Sequence, residues 1–206
     1  MTKLDWKKDE KALYSPKAVP ALLTVPAMNY LTIKGSGAPA SASFQKAVET
    51  LFSVSYGLKF APRKGLVIEG YLDYAVYPLE GVWDISEEAQ IKGTWTKDDL
   101  VYTLMIRQPD FIKESHVEAI KKSLSKKDLL LNEIRFETIE EGETAQILHI
   151  GPFDSEPESF KILEAFITEK GLERLSKTHK EIYLSDFNKT KPENLKTILR
   201  VKTQKR

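Results

Sequence analysis

The 206-residue chain has no cysteine. That excludes disulfide staples, thiol nucleophiles and thiolate metal sites together. It fits a reducing compartment, and a cytoplasmic location is expected. Histidine is scarce: His116, His149 and His179 are scattered, with no spacing that suits a metal. No stretch approaches the roughly 18 consecutive apolar residues of a membrane-spanning helix. The opening residues have no apolar run behind their lysines, so no secretory signal is expected. Neither sign of charge is in excess. The 31 basic and 30 acidic residues leave a net charge of +1, too weak a field to recruit nucleic acid or an anionic membrane. No phosphate-cradling loop, Gly-x-Ser-x-Gly elbow or HExxH motif occurs, and Gly35-x-Gly37 lacks a third glycine. Neither a cofactor nor a metal is expected.

What is present is ordinary globular material, 41% hydrophobic and 30% charged, enough to bury a sizeable core. A short charged helix is expected over 6–14, stopped by Pro16, with Pro20 and Pro26 favouring extended chain behind it. A strand over 28–35 and a loop at Gly35, Gly37 and Pro39 precede a helix over 43–58, whose stripe is Phe44, Ala47 and Leu51. The β-branched and aromatic tract 67–83 reads as one long or two short strands. Another strand falls in 94–107, with a turn at Lys97 to Asp99. A helix within 110–128 has Ser115 and Glu118 as a capping box. The order then recurs: a strand at 145–150, a loop at Gly151-Pro152, and a helix with Ser155 and Glu158 as its capping box. Phe160, Leu163 and Ile167 form that helix's stripe, and strands follow at 181–185 and 195–202.

Each half thus reads strand, glycine loop, helix, strand, strand. A shift of 116 residues lays Gly35 on Gly151, Ser43 on Ser159 and Phe44 on Phe160. A unit of roughly a hundred residues points to a duplicated α+β domain with an antiparallel sheet, and not to a solenoid. The expected division is an extension over 1–27, a first repeat over 28–110, a connecting helix over 111–130 and a second repeat over 131–206.

Strand alternation places Glu181, Tyr183 and Ser185 on one face, with Ile182 and Leu184 on the other, toward the helices. A partly buried carboxylate beside a phenol can neutralise a cation or act as a general base, while the hydroxyl polarises a carbonyl. A solvated strand face is the competing reading. The first half offers two matching acids, Glu69 and Glu80. We prefer Glu80, although alternation sets Trp83 on the face opposite to it unless Gly81 hosts a bulge. Tyr71, Tyr77, Trp83, Trp95, Tyr102 and Phe153 could sandwich a flat or cationic ligand, and cross-strand packing competes for the same residues. His149 reads as a hydrogen-bonded packing residue.

Several separated segments resemble the stand-alone GyrI-like small-molecule-binding proteins. They are Gln-Ile-Leu-His-Ile-Gly-Pro-Phe-Asp at 146–154, Glu-Ile-Tyr-Leu-Ser-Asp at 181–186 and Leu-Lys-Thr-Ile-Leu-Arg at 195–200. Pro-Leu-Glu-Gly-Val-Trp at 78–83 and Leu-Met-Ile-Arg-Gln-Pro-Asp-Phe at 104–111 agree with them. The chain departs from the pattern at Asp84, Tyr102, Lys180 and Phe187-Asn188. The resemblance implies paired strand–helix–strand–strand (SHS2) repeats with a central groove. Glu181 would there contact lipophilic cations, as in effector-binding domains of multidrug-sensing regulators. Some members hydrolyse the cyclopropane of DNA-alkylating natural products, protecting the cell. That chemistry would give Glu181 or Glu80 the activation of water, Tyr183 the polarisation of a carbonyl, and the tryptophans the stacking. Three functions follow as expectations: a ligand-sequestering module, a cyclopropanoid cyclopropyl hydrolase, and an inhibitory partner of DNA gyrase. No helix-turn-helix precedes the repeats, which disfavours a self-contained transcription regulator.

Overall fold

The computed structural model describes residues 3–206 and divides them into two compact units. The first comprises Met28–Leu79 and Asp84–Ile139 with the short segment ending at Asp5. Its sheet is centred on β2 (Met28–Ser36), which pairs antiparallel with β4 (Leu100–Gln108) and β5 (Arg135–Ile139). Helix α3 (Ala42–Phe60) covers this sheet with Phe44, Ala47, Leu51, Val54 and Leu58 buried. The Ser41 hydroxyl starts it by accepting from the Phe44 amide at 3.2 Å. Helix α5 (Glu114–Leu124) packs on α3 where Gly57 leaves room; a Cβ there would come within 2.5 Å of Ile120. Its first turn is closed by the His116 ring, which accepts from the Lys113 amide, so the expected Ser115 box is replaced.

The strand expected over 67–83 is largely absent, and β3 spans only Leu79–Ile85. Gly70 turns the chain at φ +71°, and the local polar groups are satisfied from the end of α3 instead of by a ladder. The Tyr71 hydroxyl donates to the Lys59 carbonyl, and the Lys59 ammonium donates to the Tyr74 carbonyl. Only a single bridge, Leu4 to Tyr74, adds sheet character. The turn expected at Lys97 to Asp99 is a 3-10 turn, and a short helix, α4 (Glu87–Lys92), precedes it.

The second unit comprises Trp6–Ala27, Glu80–Trp83 and Glu140–Arg206. Its antiparallel sheet runs β1 (Ala21–Val25), β6 (Gly142–Ile150), β9 (Lys196–Lys205), β8 (His179–Tyr183) and then the Glu80–Trp83 part of β3. The short β7 (Leu172–Arg174) adds to β9. Helix α6 (Glu156–Glu169) lies on one face, where Leu163 and Ile167 pack with Ala145, Ile147, Leu199 and Val201. The opposite face meets α1 (Trp6–Asp9) and α2 (Lys11–Tyr14), two short helices where one was expected. Their carbonyls are tied to the sheet: Gln146 donates to Ala12 and Arg200 to Leu13. In both units the first strand of a repeat pairs with its last, β2 with β4 and β6 with β9, and a helix covers the pair. The duplicated α+β architecture read from the residues is the one observed.

Candidate functional site

The register of the second unit decides which side chains can meet. Glu181 pairs with Gly81 on one side and Leu199 on the other, and Leu199 pairs with Ile147. Since Leu199 and Ile147 belong to the core under α6, Glu181 lies on the helix-covered face. The expectation that Ile182 and Leu184 point to the helices while Glu181 and Tyr183 point away is therefore corrected. Ile182 shares its face with Glu80, its cross-strand partner.

On the α6 face, Glu181 is 9% exposed. Its Oε1 lies 3.1 Å from His179 Nε2. The Tyr183 hydroxyl lies beside the Glu181 carboxylate and accepts from the Trp83 indole N–H at 2.8 Å. The N-terminal turn of α6 adds Glu156, 7% exposed, whose carboxyl lies next to that of Glu181. Its Oε1 is buried and finds no hydrogen-bond partner among the described residues. Phe153 stands edge-on to Tyr183, centroids 6.1 Å apart, and Phe160 edge-on to His179 at 4.9 Å. The turn carrying Phe153 and the start of α6 are pinned by His149, whose ring bonds the Ser159 hydroxyl at 2.9 Å and the Pro152 carbonyl at 3.1 Å. Ser155 is drawn into the same knot, so it makes no side-chain cap on α6.

Burial, and then the neighbouring charge of Glu181, push the Glu156 carboxyl up to about 9. Its place in the first turn of α6 favours the charged form, but a helix terminus contributes about 0.3–2 kcal/mol. The upward shift is worth several kcal/mol at about 1.4 per unit, so desolvation and like charge win. At neutral pH the pair therefore holds one proton and one negative charge. Burial and the same carboxylate also raise the Tyr183 phenol well above its ordinary value. This arrangement can accept a cation, hold an ordered donor, or pass a proton.

Glu80 does not join it. Strict alternation prevails over the bulge considered at Gly81, and the ladder runs unbroken from Glu80↔Ile182 to Trp83↔His179. Trp83 thus sides with Glu181, and Glu80 falls on the other face, 0% exposed. There the Lys180 ammonium lies 2.9 Å from Glu80 and 2.7 Å from Glu141, and Arg200 lies 3.3 Å from Glu141. Tyr14 donates to Glu80 at 3.2 Å. Burial pushes the Glu141 carboxyl up, but Lys180 and Arg200 together hold it below its ordinary value. Glu69 is exposed in a turn and not on a strand.

The remaining aromatics named from sequence belong to the first unit. Tyr71 packs edge-on against Tyr74 and Phe111. Tyr77 is buried beneath the Arg107 guanidinium at 4.8 Å. Tyr102 lies over Gly35, where a Cβ would come within 2.6 Å of it, and meets Phe44 edge-on. Trp95 is 57% exposed. Sequence reasoning missed Glu156 and His179. The signal for Glu156 was present, because extending the stripe Phe160, Leu163, Ile167 one turn back lands on it. An acid on an apolar stripe is a buried acid. Among the described residues no group of three or more His, Asp or Glu could hold a metal, and no helix is long and apolar enough to cross a membrane.

Among curated proteins no match is found. Among solved structures, a protein from Listeria innocua described as a hydrolase is 35% identical over 98% of this chain and 100% of its own, with a TM-score of 0.89. A second, described as an uncharacterized conserved protein from Listeria innocua, is 36% identical with the same coverage and a TM-score of 0.90. The EcmrR C-terminal domain shares the fold at 13% identity and a TM-score of 0.56, covering 91% of this chain and 98% of that one. Residues 19–202 match the GyrI-like small molecule binding domain, and the chain belongs to that family.

Proposed function

We propose that the protein binds lipophilic aromatic or cationic small molecules against the Glu181 carboxylate, and that it opens strained cyclopropane rings conjugated to a carbonyl. The observation that carries this reading is the cluster on the α6 face: two buried, neighbouring carboxyl groups beside the Tyr183 hydroxyl and the Trp83 indole. Family membership supports a small-molecule ligand, and the Listeria innocua relative described as a hydrolase supports turnover.

In the proposed step Glu181 takes a proton from a water molecule as its oxygen bonds the less hindered ring carbon. The electron pair of the broken carbon–carbon bond runs into the conjugated carbonyl, which is then protonated. Tyr183, already held by Trp83, donates its O–H to that carbonyl oxygen and stabilises the developing charge. Phe153 and Trp83 supply flat apolar surface beside the ring system.

The test is incubation with a spirocyclopropyl cyclohexadienone followed by mass spectrometry. A product heavier by one water, lost in Glu181→Gln, is expected. Binding of unchanged compound would replace the hydrolase by a ligand-holding module, and absence of both binding and turnover would overturn the proposal.

A further inference from the structure

The carboxyl pair has a consequence for which ligands the site selects. Two ionised carboxylates are acceptors only. Buried side by side, an ionised Glu156 and an ionised Glu181 would only repel each other, so one proton is retained on the pair. The second Glu156 oxygen, Oε1, is buried and without a partner among the described residues, an unusual state for a buried acceptor. Glu181 is the better satisfied of the two, with His179 Nε2 3.1 Å from its Oε1. Glu156 is thus the member with acceptor capacity to spare and the member whose proton is replaceable.

We infer that Glu156 is the specificity-determining residue of the site, selecting cations by exchanging the proton of the carboxyl pair for the positive charge of the ligand. The inference rests on the proposed ligand site at Glu181 and goes beyond it. A neutral aromatic molecule has nothing to exchange and leaves the proton in place. A cation seated against the pair lets both carboxyl groups ionise, and one proton leaves to solvent. The titratable and charged groups facing Glu156 are Glu181 and Tyr183 from β8 and Asp154 from the turn before α6, and His179 in turn contacts Glu181. His149, on β6, bonds the Pro152 carbonyl at the start of that turn. Burial and the Glu181 charge keep the proton on the pair in the absence of a cation.

The experiment is calorimetric titration of the full chain with 10-methylacridinium at pH 7, in buffers of different ionisation enthalpy. Release of close to one proton per bound cation is expected, with affinity rising by up to about tenfold per pH unit between pH 7 and 9. Glu156→Gln keeps a donor to Glu181 and is expected to bind with no release and a flat pH profile. His179→Gln is expected to keep the release, which separates Glu156 from its titratable neighbour. Neutral 9-methylanthracene is expected to bind without release. Cation binding without proton release, or release that survives Glu156→Gln, would overturn the inference alone. Failure of wild-type protein to bind the cation at all would overturn the ligand site at Glu181 as well.

Discussion

At the scale of residues, two neighbours on β8 show how much one step along a strand decides. Glu181 faces α6 and keeps company with another acid, while Lys180 faces the N-terminal helices and neutralises Glu80 and Glu141. Alternation in the sequence separated these sets correctly, and the mistake was to suspend it at Gly81 so that Glu80 could join Glu181. Which face α6 would cover was not legible in the strand itself, because both faces of β8 carry polar residues. It follows from the pairing of Glu181 with Leu199, a contact remote in sequence.

The paired acids predict a pH dependence. Folded Glu156 keeps its proton up to about 9, whereas the unfolded chain releases it near 4.3. The folded state binds more protons between those values. Stability is therefore fullest below the lower one and falls as pH rises, by at most about 1.4 kcal/mol per unit, until it levels above the upper one. Urea unfolding midpoints of Glu156→Gln are expected to lack this slope. Lys180→Met leaves two buried carboxylates without their ammonium, and a loss of about 3–5 kcal/mol is expected by the same measurement.

At the scale of elements, the long helices and the strands with turn signals were legible because their signals are local. The α3 stripe of Phe44, Ala47 and Leu51 is the buried face observed. What escaped was short or externally stabilised. The three residues of β7 exist because β9 offers them an edge, and β5 because β2 does. The tract 67–78 has strand-forming residues, yet Lys59 and Tyr71 divert its polar groups and Gly70 turns it. Helices α1 and α2 are too short to stand alone; α2 is held through Gln146 and Arg200, and Trp6 of α1 packs on Tyr14 of α2. Deleting residues 1–14 is expected to uncover the Glu80–Lys180–Glu141 network and lower the unfolding midpoint, read by circular dichroism in urea. An unchanged midpoint would show that these helices do not secure the sheet.

At the scale of the whole molecule, duplication and family were readable because separated motifs agreed in order and spacing; the match over residues 19–202 bears out the family, and the pairing of β2 with β4 and of β6 with β9 agrees with the duplication. The second acid of the site was not, because Glu156 and Glu181 become neighbours only when α6 packs on β8. A ligand that binds the folded chain alone will stabilise it by mass action. At about a hundredfold excess over the dissociation constant, roughly 2.7 kcal/mol is expected, visible as a raised melting temperature. Glu181→Gln should cut the stabilisation by about 1.4 kcal/mol or more.

The most direct test compares the two acids that sequence reasoning set side by side. Fluorescence titration of 10-methylacridinium against wild type, Glu181→Gln and Glu80→Gln, each first shown to be folded, separates the two faces of the sheet. The account predicts at least about a tenfold loss of affinity, or 1.4 kcal/mol, for Glu181→Gln, and affinity close to wild type for Glu80→Gln. Full affinity in Glu181→Gln with loss in Glu80→Gln would contradict it and move the site to the opposite face.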